Sequence, residues 1–248
     1  MRTTLRLAVA LFAFAASIAM RAPHASTQAA NDAIKPFEAR YEVWRNGKLA
    51  GEARLALLSL GSRHELTTRT RGTRGLAALA HLEIDERSMF VWRDGAPELM
   101  ESSYDQRAAW TSRKRSLRVD RASNTIASYD GKRLHTLAFA PHTIDVHLTT
   151  LALMARLRSN AHAPLDFNVA TRDEIEHQRY ERVGNASVVT PAGTYPALHI
   201  RRVRSTRERV SESWLAPALG YLPVQIRYDD SKGERIELRL VSRTERAR

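Results

Sequence analysis

The chain has 248 residues, 43% of them hydrophobic, enough for a sizeable core in one large domain or two small ones, which excludes disorder over most of its length. Its 39 Lys and Arg stand against 27 Asp and Glu, a formal net charge of +12; this suits anionic partners such as phospholipid headgroups, lipopolysaccharide or acidic polymers. It has no cysteine, which excludes disulfides, thiol catalysis, Cys-ligated metals and lipid attachment at a cysteine.

Arg2 and Arg6 precede an apolar run over residues 7–20 that only Ser17 interrupts. Ser17-Ile18-Ala19 places small residues where a signal peptidase reads. This is the pattern of a cleavable secretory signal peptide over residues 1–19, and the run is shorter than the ~20 residues a membrane span needs. The mature chain is therefore expected to carry no integral span. Losing Arg2 and Arg6 takes the charge from +12 to about +10. Only Lys35, Lys48, Lys114, Lys132 and Lys232 are lysines, and so heavy an arginine bias also arises from a GC-rich genome without selection for a ligand. Export makes nucleic acid an unsuitable partner. Residues 20–35 lack periodicity and are expected to be a flexible segment.

From Phe37 the pattern alternates. Phe37, Ala39, Tyr41 and Val43 share one face, and Asn46-Gly47 marks a tight hairpin turn. Leu49, Gly51, Ala53, Leu55 and Leu57 return, and residues 63–70 form a more polar third strand. Gly72 and Gly75 then break the alternation before the helix-prone Leu76-Ala77-Ala78-Leu79-Ala80. Strands resume over residues 82–92, turn at Asp94-Gly95, and continue over 99–107, 111–120, 125–129 and 134–139. Pro141, Thr143 as N-cap and Asp145 in the first turn predict a helix whose face is Ile144, Leu148, Leu151, Ala152 and Ala155. Arg156 and Arg158 occupy its last turn and Ser159-Asn160 ends it.

After Pro164, strands return over residues 165–169, 175–183, 187–189, 195–203 and 208–215. The segment 213–228 reads as strand, an apolar turn held by Pro217 and Gly220, and strand. Val224, Ile226 and Tyr228 share a face that Ile236, Leu238 and Leu240 complete. The predicted fold is mainly β: an antiparallel curved sheet, open barrel or sandwich of about a dozen strands with one mid-chain helix. It is expected to form a single domain over residues 36–243, with 244–248 a tail. A single sheet wrapped around the helix and two β subdomains divided by it remain equally compatible.

Several segments together resemble a known family. They are Phe37-Glu38-Ala39-Arg40-Tyr41-Glu42-Val43 with Asn46-Gly47-Lys48, Arg69-Thr70-Arg71-Gly72-Thr73-Arg74-Gly75-Leu76, Ile84-Asp85-Glu86-Arg87-Ser88, Asp173-Glu174-Ile175-Glu176, Thr190-Pro191-Ala192-Gly193-Thr194 and Trp214-Leu215-Ala216-Pro217-Ala218-Leu219-Gly220-Tyr221-Leu222-Pro223-Val224. In order and spacing the chain is similar, over nearly all of residues 37–242, to the exported bacterial family known as domain of unknown function 3108. The resemblance implies a β-rich protein of the Gram-negative envelope and brings no activity and no catalytic residues; the cleavable signal pattern makes the periplasm the expected location.

Candidate chemistry is sparse. His142, Asp145 and His147 have metal-binding side chains, but on one helix His147 points about 140° away from His142 and about 160° from Asp145, so no metal or other cofactor is expected. Glu174 and Glu176 share a strand face about 7 Å apart, as an inverting glycosidase needs; with Arg172, Arg179 and Arg182 nearby, a charged solvent face explains them as well. No G-x-S-x-G elbow is present. Gly72-Thr73-Arg74-Gly75 lacks the lysine of a P-loop, yet its amides with Arg69, Arg71 and Arg74 could cradle a headgroup phosphate. Arg113-Lys114-Arg115 with Arg118 and Arg121, and Arg201-Arg202 with Arg204, Arg207 and Arg209, are charge runs that could form a joint site for an anionic surface. Among the aromatics, Trp214 and Tyr221 are further ligand-binding candidates, against a structural role in the turn they flank; if Trp214 is buried, Trp214→Ala should cost ~3–5 kcal/mol.

The function these features favour is non-enzymatic: a binding, carrier or envelope-assembly factor for an amphipathic or anionic ligand, with lipid or lipoprotein as partners. The alternative is an envelope hydrolase acting on glycan or ester substrates, which requires a pocket gathering Asp145 with His142, or Glu174 with Glu176.

Overall fold

The computed structural model describes residues 34–204 and 209–246. The expected signal peptide, the flexible segment up to residue 33, Arg207 of the second charge run and the last two residues lie outside the described residues. One antiparallel meander runs through β1 (Phe37–Arg45), β2 (Lys48–Leu60), β3 (Arg63–Gly72), β4 (Glu83–Arg93), β5 (Ala96–Ala108), β6 (Thr111–Asp120), β7 (Thr125–Tyr129) and β8 (Leu134–Ala138), with the short helix α1 (Gly75–Leu79) between β3 and β4. A second begins at β9 (Ile144–Asp145), passes through helix α2 (Thr149–Ser159), and continues as β10 (Leu165–Ala170), β11 (Ile175–Thr190), β12 (Gly193–Arg202), β13 (Val210–Ala216), β14 (Leu222–Asp229) and β15 (Arg235–Glu245).

Together they form a single 15-stranded sheet, in the order β8-β7-β6-β5-β4-β3-β2-β1-β15-β14-β13-β12-β11-β10-β9. The first and last strands of the chain pair at its centre, from Phe37 opposite Glu245 to Arg45 opposite Ile236. The sheet's two edges, β8 and β9, are neighbours in sequence. Its halves meet at a seam: the Leu99 amide of β5 donates to the Thr143 carbonyl beside β9, and Ser128 of β7 donates to the Arg172 carbonyl after β10. Ile126, Leu137 and Ala170 pack across that seam. Register shifts at Arg40/Tyr41, Met89/Phe90, Arg182/Gly184 and Trp214/Leu215 mark bulges, which sharpen local bend and twist and so help so long a sheet to roll.

The expected turns form as their residues dictate. Asn46 and Gly47 take φ of 50° and 75°, and Asp94 and Gly95 take 51° and 78°, the left-handed pair of a two-residue hairpin. The apolar turn after β13 is a single 3-10 turn, Pro217–Leu219, closed by Gly220 at φ 66°. β9 adds a two-residue strand where the sequence suggests a helix, while β11 runs unbroken through a bulge where the sequence suggests two strands. β15 continues through Glu245, past the expected domain end, and Arg246 ion-pairs with Glu38.

The helix starts later than expected. Ile144 and Asp145 pair with Val169 and Ala170 as the only parallel ladder among the described residues, and the Asp145 carboxylate accepts the Leu148 amide. Thr143 donates its hydroxyl to the Ala140 carbonyl instead of capping a helix. From Thr149 on, α2 is buried nearly all round. Leu148, Leu151, Ala152, Met154 and Ala155 pack against Phe37, Tyr41, Leu57, Phe90, Leu99, Val224 and Leu240, while Leu153 and Leu157 pack against Leu165, Ile200 and Leu215. A helix apolar on every side belongs in a core, and the sheet wraps around this one. Each fully buried large side chain here contributes roughly 1.5–3 kcal/mol.

The interior is closed at one end only. Along one face of β14, Val224 is buried, Ile226 is half-buried and Tyr228 exposes 48% of its surface. Along β15, Leu240 is buried while Leu238 and Ile236 are not. No helix among the described residues is long and apolar enough to cross a membrane.

Candidate functional site

The open end contains a polar cleft of about 670 Å³ between the two halves of the sheet. One wall comes from β5 and β6. Gln106, Tyr104 and Ser102 stand opposite Arg113, Arg115 and Leu117, and strand alternation puts Arg113 and Arg115 on that shared face. Lys114 and Arg118 fall on the other face, where they pair with Asp105 and Glu101. The opposite wall comes from β11, β12 and the two ends of the 203–209 connection: Glu176, Gln178, Arg202, Arg204 and Arg209. Glu86, Asp145 and His147 form the floor, and Arg172 with Asp173 and Glu174 the lip.

The cations of the two walls are unequally satisfied. Arg202 reaches Glu176 at 2.5 Å, and Gln178 donates to the same carboxylate at 2.8 Å. Arg204 donates to Ser211 at 3.3 Å. The Nε groups of Arg202 and Arg204 are both buried and without an acceptor among the described residues, an arrangement native proteins seldom leave unused. Arg115 lies 5.5 Å from the Tyr104 ring centre, and Arg113 and Arg209 make no ion pair among the described residues. Loss of water, reinforced by Arg202 and Arg209, lowers the Arg204 pKa from its ordinary value. Like charges crowded this way favour a bound anion.

On the floor, the shift is the opposite. Burial raises the Glu86 pKa above the ordinary carboxylate value; His147 opposes the rise and Asp145 reinforces it. Burial likewise raises Tyr104 and Tyr180. Tyr228, in the adjoining hollow that Arg204 and Arg209 also line, is raised by crowding protein and then by Tyr180 and Glu86. It exposes 48% of its surface, as a side chain on the wall of a hollow does.

From the floor inward, Asp145 and His147 form a chain with Ser88 and Thr68. Ser88 Oγ lies 2.6 Å from Asp145 Oδ2 and 2.9 Å from His147 Nδ1, and His147 Nε2 lies 2.8 Å from Thr68 Oγ1. One proton set satisfies all three: Ser88 donates to Asp145, His147 Nδ1–H donates to Ser88, and Thr68 donates to Nε2. The Ser88 proton is thereby committed to a carboxylate, and Ser88 is fully buried. This braces β9 against β3 and β4; it is not the arrangement of a nucleophile with its base.

The cleft collects Asp145, Glu174 and Glu176, but His142 lies elsewhere, 3.8 Å from Asp94. Glu176 is held by Arg202 and Gln178, and Glu174 is exposed. Among the described residues no group of three or more His, Asp or Glu is placed to hold a metal ion.

The residues singled out in the sequence as ligand-binding do not line this cleft. Arg69 pairs with Asp85 at 2.7 Å and Arg71 with Glu83 at 3.5 Å, on the face of β3 opposite Thr68 and Thr70. The Gly72 amide donates to Leu82, and those of Thr73 and Arg74 to Ala50, so three amides of the expected phosphate cradle are already bonded. Trp214 is half-buried, stacked on His199 at 4.4 Å with 7° between the rings. Tyr221, at φ 62°, gives its amide to Ala216 and serves the turn. What the structure does unite is the two charge runs: Arg113 and Arg115 from the first, Arg202, Arg204 and Arg209 from the second. The every-other-residue spacing of Arg113 with Arg115 and of Arg202 with Arg204 is the signal for a shared face. Nothing in the sequence points to Glu86 beside them.

No curated protein matches the chain. Among solved structures, it is similar to a beta-barrel-like protein of domain of unknown function 1849 from Brucella abortus, with 8% identity, a TM-score of 0.51, and coverage of 86% of this chain and 98% of that one. This likeness shows the fold. Weaker likenesses, which carry no argument, are to a candidate lipoprotein from Parabacteroides distasonis (TM-score 0.35, 12% identity, 85% and 95% coverage) and a candidate exported protein with a YmcC-like fold from Bacteroides fragilis (TM-score 0.34, 10% identity, 85% and 96% coverage). The model of one family, protein of unknown function (DUF3108), matches residues 37–241, and the chain belongs to that family.

Proposed function

We propose that this is a non-enzymatic binding protein of the cell envelope that takes an anionic or amphipathic ligand into the cleft at the open end of the sheet. The observation that carries the reading is the meeting of Arg113, Arg115, Arg202, Arg204 and Arg209 around one hollow, with the Nε donors of Arg202 and Arg204 unpartnered among the described residues. A planar guanidinium fork is suited to carboxylate or phosphate. Tyr104 lines the same cleft, and Tyr228 and Ile236 the adjoining hollow, so a partly apolar ligand has surface to cover. Periplasmic placement rests on the N-terminal pattern of Arg2, Arg6 and the apolar run to Met20. A lipid or lipoprotein is the partner this combination favours. The hydrolase alternative loses support because the Ser88 hydroxyl is buried and committed, and because Asp145, the carboxylate beside Glu86, is itself buried and occupied by the Ser88 hydroxyl and the Leu148 amide.

The test is calorimetric titration of the purified protein with a short-chain anionic phospholipid below its micelle concentration, compared with the zwitterionic phospholipid of the same chain length. Saturable binding of the anionic lipid is expected, weakened at least about tenfold by Arg202→Gln with Arg204→Gln, since a charge-assisted hydrogen bond contributes roughly 1.5–3 kcal/mol. Equal binding of both lipids, or none, would refute the reading.

A further inference from the structure

The cleft opens at the end of the sheet where the connections 46–47, 73–82, 109–110 and 230–234 gather, because the antiparallel meander returns there at every second turn. Two of these connections carry apolar side chains pointing away from the protein. Leu76 and Leu79 of α1 expose 70% and 73% of their surface, and Trp110, in the β5–β6 turn, 75%. They belong to one local structure: the Ala109 amide donates to the Ala80 carbonyl at 2.8 Å, joining the β5–β6 turn to the end of α1. On its other side α1 is pinned to the sheet. The Leu82 amide donates to the Ala77 carbonyl, the Arg74 amide to the Ala50 carbonyl, and a Cβ at Gly72 would stand 2.5 Å from the Ala77 oxygen. Ala77 therefore faces inward, and the two leucines cannot turn into the core.

Large apolar side chains so fully exposed and adjacent are unusual on a protein that has a core to bury them in. Their neighbours are basic. Arg74 and Lys48 are exposed, and neither makes an ion pair among the described residues. Arg113, three residues beyond Trp110 and about 10 Å further along β6 by strand rise, begins the cationic wall of the cleft. A tryptophan and two leucines at loop tips, with unpaired cations beside them, match the layering of an anionic bilayer surface: aromatic ring at the headgroup level, leucine in the acyl boundary, guanidinium and ammonium on phosphate. We propose that Leu76, Leu79 and Trp110 form a membrane-docking rim that seats the open end on an anionic lipid surface. The formal charge of about +10 that is left without Arg2 and Arg6 favours the same approach. Seated in this way, the mouth of the cleft faces the lipid headgroups. The rim stands apart from the cleft and needs no ligand in it.

Flotation of the purified protein with vesicles of phosphatidylethanolamine and phosphatidylglycerol, beside vesicles of phosphatidylcholine alone, tests the rim. Association with the anionic vesicles is expected, reduced at least about tenfold in a variant carrying Leu76→Ser, Leu79→Ser and Trp110→Ser, because each buried large apolar side chain contributes roughly 1.5–3 kcal/mol. That variant should keep its melting temperature and its affinity for a soluble short-chain anionic phospholipid. Arg202→Gln with Arg204→Gln should show the converse: cleft binding lost, flotation retained. Fluorescence gives a second readout, since a blue shift on adding anionic vesicles should disappear in Trp110→Phe. The inference is overturned if the protein does not float with anionic vesicles, or if the triple variant floats as the unmodified protein does; the exposed rim would then serve a protein partner.

Discussion

The two ends of the rolled sheet are built from the same strands and differ in what those strands place inside. On β4, Ser88 and Phe90 are fully buried, whereas Glu86 and Ile84, on the same face one and two steps further, line open space or are only half-buried. On β6, Leu117 and Val119 pack against the core, and Arg113 and Arg115 line the cleft. At the closed end α2 fills the interior; at the open end nothing among the described residues does. The inward face of a strand is therefore apolar only where something apolar meets it. Function is encoded by a change of residue type along the strand, at constant alternation.

The contrast should show first in stability. Leu151→Ala, in α2, should cost about 2–5 kcal/mol because a cavity is left in a tightly packed site; Ile226→Ala, half-buried at the open end, should cost well under half as much. Equal losses in denaturant titrations would show the open end to be packed like the closed one. Next in size is Glu98→Ala. Glu98 is almost fully buried and accepts from Arg93 at 2.9 Å, Arg121 at 2.6 Å and the His142 amide at 2.7 Å. Its loss strands one amide but leaves two half-exposed guanidinium groups free to reach water, so about 1–3 kcal/mol is expected. Trp214→Ala should cost about 1–2 kcal/mol, less than a core tryptophan, since the ring is half-buried and part of its contact is the His199 stack.

The smallest effects are those of pH, and they have opposite signs at the two sites. For Glu38, burial raises the carboxyl, but hydrogen bonds from Arg246, Arg54 and Arg40 outweigh it and bring the pKa from 4.5 to about 2. Its stabilising contribution is present above 4.5 and lost as pH falls toward 2. Glu86 is raised above 4.5: the folded state prefers its protonated form, so its contribution is present below 4.5 and lost as pH rises through the raised value. Melting curves of Glu38→Gln should therefore flatten on the acid side only, and those of Glu86→Gln on the rising side only. Identical pH profiles in the two variants would refute this assignment.

Much of the architecture is legible in local sequence. Asn46-Gly47 and Asp94-Gly95 dictate hairpins through their tolerance of positive φ, and the alternation of Phe37, Ala39 and Tyr41 fixes which face is buried. A curved sheet around the mid-chain helix is among the expectations; which strands join its halves is not legible, because pairing β1 with β15 joins residues about 200 positions apart with no local signal. The helix start departs from expectation for a definable reason: Asp145 has the right side chain for a first turn, but parallel pairing with Ala170 holds its backbone extended. The same applies to the site. The two arginine runs are visible, and their spacing implies a shared face; that they face each other follows only from closure of the sheet. Arg69 and Arg71 look equally suitable in sequence, yet each has an acid directly across the neighbouring strand, as the register of β3 and β4 places Asp85 and Glu83 there.

The most direct test maps backbone amide shifts of the isotope-labelled protein as it is titrated with a short-chain anionic phospholipid. Saturable shifts concentrated at residues 102–106, 113–117, 145–147, 172–178 and 202–211 are expected, with those around Arg69, Arg74, Trp214 and Tyr221 unmoved. Shifts centred instead on residues 69–76 or 214–221, or spread evenly over the surface arginines, would contradict a binding cleft at the open end of the sheet.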